Sequence, residues 1–159
     1  MEENAFRHAV ADHRDVVFRI ALTYLRDPAD ADDVTQDVFL KLLQSDNRFE
    51  SGQHIKNWLV RVTVNECKSL FRKPWKRVDD IELYANQLEI PNRESRELFV
   101  ELMRLKRTYR VPVFLYYYMD LSTQEIAELL KIPSATVRTR LARGRQKLKA
   151  LLEDDEDVF

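Results

Sequence analysis

Apolar residues recur along this chain every three or four positions and never alternate with polar ones for long, a pattern that predicts helices and no sheet. From Ala31 to Leu43, Ala31, Val34, Val38 and Leu42 mark an inward stripe, leaving Asp33, Gln36, Asp37 and Leu40 together outside. From Trp58 to Arg72, Val60, Val64, Cys67 and Phe71 make a second stripe, and Trp58, Arg61, Asn65, Lys68 and Arg72 share another side. Towards the C-terminus Val137, Leu141, Leu148 and Leu152 repeat at helical spacing, with Gly144 on the same stripe, where a missing side chain permits close packing. Residues 74–93 show no strong periodicity and contain Pro74 and Pro91, as a linker would. The pattern thus predicts an all-α protein of two small helical domains, 1–73 and 94–152, joined by a linker at 74–93 and followed by a tail at 153–159.

The sharpest local signals lie in LSTQEIAELLKIPSATVRTRLARGRQKL, residues 121–148. Ser122 with Glu125 three residues on is a capping box, which starts a helix at Thr123. That helix should stop before Pro133, because the residue ahead of a proline is pushed out of helical geometry. Ser134 then caps a second helix, giving a helix-turn-helix. Pro112 can sit in the first turn of a helix running to Tyr118, and the run Phe114 to Tyr118, whose rings lack adjacent cations in sequence, reads as packing between helices.

Charge changes this picture through its placement. The 26 Lys and Arg nearly balance 27 Asp and Glu, yet from Ser134 to Lys149 all six charged residues are cations: Arg138, Arg140, Arg143, Arg145, Lys147 and Lys149. Ser134, Thr136, Arg138, Thr139, Arg140, Arg143 and Lys147 are the candidates for a duplex-binding surface, since arginine forks onto guanine or phosphate and threonine offers a hydroxyl or a methyl. A solvated basic helix is the plainer alternative. A second cationic stretch runs from His54 to Arg77 with Glu66 as its only acid. There Trp58, Arg61, Asn65, Lys68 and Arg72 suit an extended single strand: bases stack on rings, amides read base edges and cations follow the backbone. Glu153 to Asp157 form an acidic tail expected to be solvated and frayed.

Other chemistry is thinly represented. The lone Cys67 cannot form an internal disulfide, and no signal peptide or apolar run of spanning length is present, which predicts a cytosolic protein without membrane insertion. Asp32, Asp33 and Asp37 suggest a divalent metal site, but no phosphate loop or histidine pattern accompanies them, and His8, His13 and His54 form no metal motif. No catalytic residue, metal or cofactor is expected.

Three segments in order, ADDVTQDVFLKLL at 31–43, NWLVRVTVNECKSLFRK at 57–73 and the helix-turn-helix at 121–148, resemble a bacterial RNA polymerase sigma factor. The short layout without a middle domain resembles the extracytoplasmic function group. The resemblance implies that Asp33, Gln36, Asp37 and Leu40 dock on the core polymerase. It implies that Phe49 to Lys68 opens the minus-ten element and holds its non-template strand. Within that segment Phe49 to His54 would be the loop taking a flipped base, Asn65 a base-contacting amide, and Trp58 a ring close to the melted strand. The helix from Ser134 would read the minus-thirty-five element, and an anti-sigma factor would cover these surfaces. The expected partners are therefore core RNA polymerase, promoter DNA and an anti-sigma factor. Two other readings stand beside it: a free-standing helix-turn-helix regulator binding duplex DNA as a dimer, and a helical metal-dependent enzyme using the cluster from Asp30 to Asp37.

Overall fold

A computed structural model of the chain describes residues 1–70, 90 and 92–157, with side chains to residue 153. The expected linker at 74–93 lies outside the described residues except for its last few positions, and Phe71 and Arg72 lie outside them too. Among the described residues there are seven helices and no strands. The chain divides into two compact units, residues 1–77 and 78–159.

The first unit holds α1 (Glu3–Leu25), α2 (Pro28–Gln44) and α3 (Gly52–Ser69). Asp27 starts α2, its carboxylate accepting from the Ala29 and Asp30 N–H groups at 2.9 and 3.2 Å, with Pro28 in the first helical position, where its missing N–H costs nothing. The predicted stripe of Ala31, Val34, Val38 and Leu42 is buried against α1, whose own buried residues include Val17, Ile20 and Ala21. Leu59, Val60, Val64 and Cys67 of α3 complete the core. Each such aliphatic side chain contributes about 1.5–3 kcal/mol by leaving water. The buried Thr35 and Thr63 hydroxyls donate to the carbonyls of Ala31 and Leu59, so neither is buried without a partner.

The second unit holds α4 (Arg93–Arg104), α5 (Arg107–Tyr117), α6 (Thr123–Leu130) and α7 (Ser134–Asp157). Its core is formed by Phe99, Leu102 and Met103 of α4, Val111, Val113, Phe114 and Leu115 of α5, Ile126 of α6, and Val137 and Leu141 of α7. Arg110 is fully buried, and its guanidinium donates to the Leu105 carbonyl at 2.7 Å, tying α5 to the end of α4. At Gly144 an added Cβ would lie 2.7 Å from Val113 Cγ2, so α7 approaches α5 through the gap that glycine leaves.

Three local expectations are corrected. Pro112 lies in the middle of α5, because that helix opens five residues earlier, with the Lys106 carbonyl accepting from Arg110 N–H at 2.8 Å. Position 108 is exposed, so water can serve the Thr108 carbonyl that the proline leaves without a helical donor. Ser134 is the first helical residue of α7, and the Pro133 carbonyl in front of it accepts from Val137 N–H at 3.1 Å. The α7 backbone continues through the acidic tail to Asp157. No glycine or proline follows Gly144 to stop it, and Lys149 and Glu153 pair at 3.8 Å one turn apart.

Candidate polymerase and nucleic-acid interfaces

On α2, the burial of an apolar residue at every third or fourth position forces Asp33, Gln36, Asp37 and Leu40 outward, and all four are exposed. Leu40 is 51% exposed, and Leu43 beside it, one turn on, is 40% exposed. Sequence reading passed over Leu43 because it extends an apolar run that looks inward. Asp32 lies 3.7 Å from Arg14 of α1. Among the described residues no group of three or more His, Cys, Asp or Glu is placed to hold a metal.

The loop before α3 is shorter than expected. Ser51 Oγ accepts from His54 N–H at 3.1 Å and starts the helix at Gly52, so residues 52–54 already belong to its first turn. The Glu50 N–H donates to His54 Nδ1 at 3.1 Å. Phe49 packs edge-on against two rings, His54 at 5.1 Å and Trp58 at 5.8 Å between centroids. Trp58 is half-buried; Arg61 and Asn65 are exposed and Lys68 is half-buried. At about 100° per residue all four lie on one side of α3. Glu66, the only acid of this stretch, is ion-paired with Lys41 of α2, which offsets its charge beside the cationic side. At the start of the helix, burial pushes the pKa of His13 on α1 down; nearby Asp12 opposes this and Lys56 of α3 adds to it.

The helix-turn-helix forms as the capping box dictates. Ser122 Oγ accepts from Glu125 N–H at 3.0 Å, and Glu125 Oε1 accepts from Ser122 N–H at 3.1 Å. The helix ends at Lys131 in the left-handed region, φ 58°, with Ile132 N–H returning to the Ala127 carbonyl at 3.1 Å. Along α7, Thr139 and Arg143 are exposed and Thr136 and Arg140 half-buried; Lys147 is exposed and stands 5.4 Å over the Tyr109 ring. These five share one side. Arg138 is exposed but comes up on the side of Arg145 and Lys149, away from Arg140 and Arg143. Arg138, Arg140 and Arg143 have no ion-pair partner among the described residues.

The aromatic run of α5 divides. Phe114 and Leu115 are core residues, whereas Tyr116, Tyr117 and Tyr118 are exposed, and the Arg145 guanidinium donates to the Tyr117 hydroxyl at 2.9 Å. No cation adjoins these rings in sequence, and the one that meets Tyr117 arrives from α7, 28 residues away. Tyr117 and Tyr118 edge a groove of about 670 Å³ within this unit, with Leu98, Leu102, Val113, Leu148 and Leu152 among its apolar walls.

Comparison with known proteins covers both units. Residues 9–77 match the family described as Sigma-70 region 2, and residues 95–148 match Sigma-70, region 4. The chain is 30% identical over 143 residues to the ECF RNA polymerase sigma factor SigM of Bacillus subtilis, covering 85% of this chain and 87% of that one. It is 26% identical over 177 residues to SigW of the same organism, covering 96% and 91%. Among solved structures, CnrH in complex with the cytosolic domain of CnrY superposes with a TM-score of 0.63 at 28% identity, covering 97% and 91%. Sigma factor RpoE in complex with the anti-sigma factor NepR from Bartonella quintana shares the fold, with a TM-score of 0.69 at 21% identity and 94% and 97% coverage.

Proposed function

The chain belongs to the extracytoplasmic function group of bacterial RNA polymerase sigma factors, and from that premise we propose how its surfaces divide the work. It binds core RNA polymerase and directs promoter-specific initiation of transcription. Domain 1–73 docks through Asp33, Gln36, Asp37 and Leu40, with Leu43 added to the apolar contact. It captures the melted minus-ten strand with Phe49, Trp58, Arg61, Asn65, Lys68 and Arg72. Domain 94–152 reads the minus-thirty-five duplex with Thr136, Thr139, Arg140, Arg143 and Lys147, while Ser134 and Arg138, off the main face, reach phosphate.

The observation that carries this reading is the contrast between the two cationic helices. α3 sets rings and an amide among its cations, as unstacked bases require, and α7 sets threonines and cations together with the exposed Gln146 beside them and no ring, as a groove requires. Capture of an unstacked base offsets part of the melting cost of about a few kcal/mol per disrupted step. The duplex contact adds effective concentration. The protein acts as a specificity subunit in the cytoplasm and leaves phosphodiester chemistry to the polymerase. No helix among the described residues is long and apolar enough to cross a membrane. An anti-sigma factor is proposed to cover the docking and DNA-binding surfaces; RpoE, of the same fold, is in complex with the anti-sigma factor NepR, and CnrH with the cytosolic domain of CnrY. A free-standing regulator is not favoured, because the family matches extend over both units.

The test is transcription by purified bacterial core polymerase from a random promoter library with and without this protein. Dependent starts sharing two upstream elements at fixed spacing support the assignment; tight binding to a palindromic duplex without polymerase overturns it.

A further inference from the structure

The first turn of α3 contains a contact that neither a sequence motif nor the function just proposed assigns. In a capping box the third helical residue sends a carboxylate or amide back to the N–H of the cap residue. His54 occupies that third position behind Ser51, and its backbone N–H makes the expected bond to Ser51 Oγ at 3.1 Å. Its side chain reaches one residue farther, with Nδ1 accepting the Glu50 N–H at 3.1 Å. One residue therefore fastens both the cap and the last link of the loop. The same imidazole meets the Phe49 ring at 5.1 Å and 68°, and Phe49 in turn meets Trp58 at 5.8 Å and 76°.

We infer that His54 is a positioning residue for promoter opening: by accepting the Glu50 N–H it fixes the loop that sets Phe49 against Trp58. The inference rests on the single-strand reading of α3. Only an imidazole with Nδ1 unprotonated can accept, so the bond selects the tautomer that carries its proton on Nε2. His54 acts through the loop backbone and Phe49, rather than through the DNA contact that the family resemblance implies for it. The ring and the acceptor are separable by substitution. Phenylalanine keeps a ring against Phe49 and removes the acceptor; asparagine places an amide oxygen at the Nδ1 position and removes the ring.

The experiment uses holoenzyme assembled from the full chain and bacterial core polymerase, on a promoter recovered from the random library. 2-Aminopurine is placed at each position of the melted element in turn. His54→Ala and His54→Phe should each slow unstacking by about three- to tenfold, the worth of one exposed backbone hydrogen bond. His54→Asn should recover most of that loss. A phenylalanine variant as fast as wild type, or an asparagine variant as slow as alanine, would overturn the assignment. So would a loss of core-polymerase affinity in His54→Ala equal to the loss in unstacking, which would mark a general folding role. Trp58→Ala and Asn65→Ala are measured alongside. If they slow unstacking and His54→Ala does not, the positioning role alone is wrong; if none of the three slows it, the single-strand reading of α3 has failed and takes this inference with it.

Discussion

Helices α3 and α6 both begin at a serine, and the residue three places on makes them different devices. At α6, Glu125 answers Ser122 within the same turn, so two bonds of 3.0 and 3.1 Å close on themselves. The acceptor is a carboxylate, and the helix supporting α7 is set before any DNA arrives. At α3, the answering residue is a neutral ring that ties Ser51 to the loop before it and, through Phe49, to Trp58. A duplex reader needs a helix of fixed orientation. A strand-capturing site needs a loop that holds its rings in place and can yield to an incoming base. The same local chemistry serves both because the third helical residue, His54 or Glu125, decides what the cap is tied to.

The largest expected effect breaks the comparison on the α3 side. Replacing Trp58 and Asn65 together by alanine removes a stacking surface worth about 1–3 kcal/mol per base and an amide contact besides. Promoter opening, read by permanganate reactivity of thymines in the melted segment, should fall about ten- to a hundredfold. Binding of the minus-thirty-five duplex by the same holoenzyme should be unaltered. Misfolding of this variant with unchanged opening per folded molecule would make Trp58 a core anchor instead.

On the α7 side, the next effect is on stability. Gly144→Ala would normally stabilise a helix by about 1 kcal/mol. Here the added Cβ would stand 2.7 Å from Val113 Cγ2 and 3.4 Å from Tyr109 Cβ. Val113 is buried and β-branched, so it has little freedom to move aside. Overpacking should win, with a net loss of about 1–2 kcal/mol in the second unit. Calorimetry of the full chain checks this; a raised melting temperature would mean that α7 shifts to make room.

A smaller effect sharpens the comparison directly. Ser122→Ala and Ser51→Ala each remove one cap and should each cost about 1 kcal/mol of local stability. Their functional consequences should diverge. Ser51→Ala loosens the link to the loop and should slow opening, whereas Ser122→Ala should weaken duplex binding in proportion to the unfolded fraction alone. Identical profiles in the two assays would remove the distinction between the caps.

Much of this was legible in the sequence where the signal was local. The stripe of α2 and the Ser122 to Glu125 box are fixed by spacing of three and four residues, and the structure places them as read. The approach at Gly144 was legible because a glycine on an otherwise apolar stripe has few other uses. Helix ends were harder. Arg26, Asp120 and Lys131 carry the left-handed turns usually given to glycine, and the chain has only two glycines to mark such places. Contacts between distant residues were not legible at all. Nothing near Tyr117 announces Arg145, nothing near Glu66 announces Lys41, and serine followed by histidine spells no known cap. The candidate site was therefore readable as residue types on helix faces, and the couplings that orient them needed the fold.

The smallest expected effect tests whether α1 reports on the start of α3. His13 has its pKa lowered, chiefly because burial disfavours the charged ring, with Lys56 adding to this and Asp12 opposing it. An unfolded chain would hold the proton at about pH 6.5, so near and below that value the unfolded state binds more protons than the folded one. Stability is therefore fully present above the unfolded value and declines as pH falls through the lowered folded value. Urea unfolding of the full chain between about pH 7.5 and 5.5 should show this slope in the first unit, and His13→Gln should flatten it. Lys56→Gln should flatten it only in part, since burial is the larger cause. A slope unchanged in His13→Gln would assign the titration elsewhere. A slope abolished by Lys56→Gln alone would mean that charge repulsion between α1 and α3 outweighs burial, and would tie the stability of the first unit to the helix that carries Trp58 and Asn65.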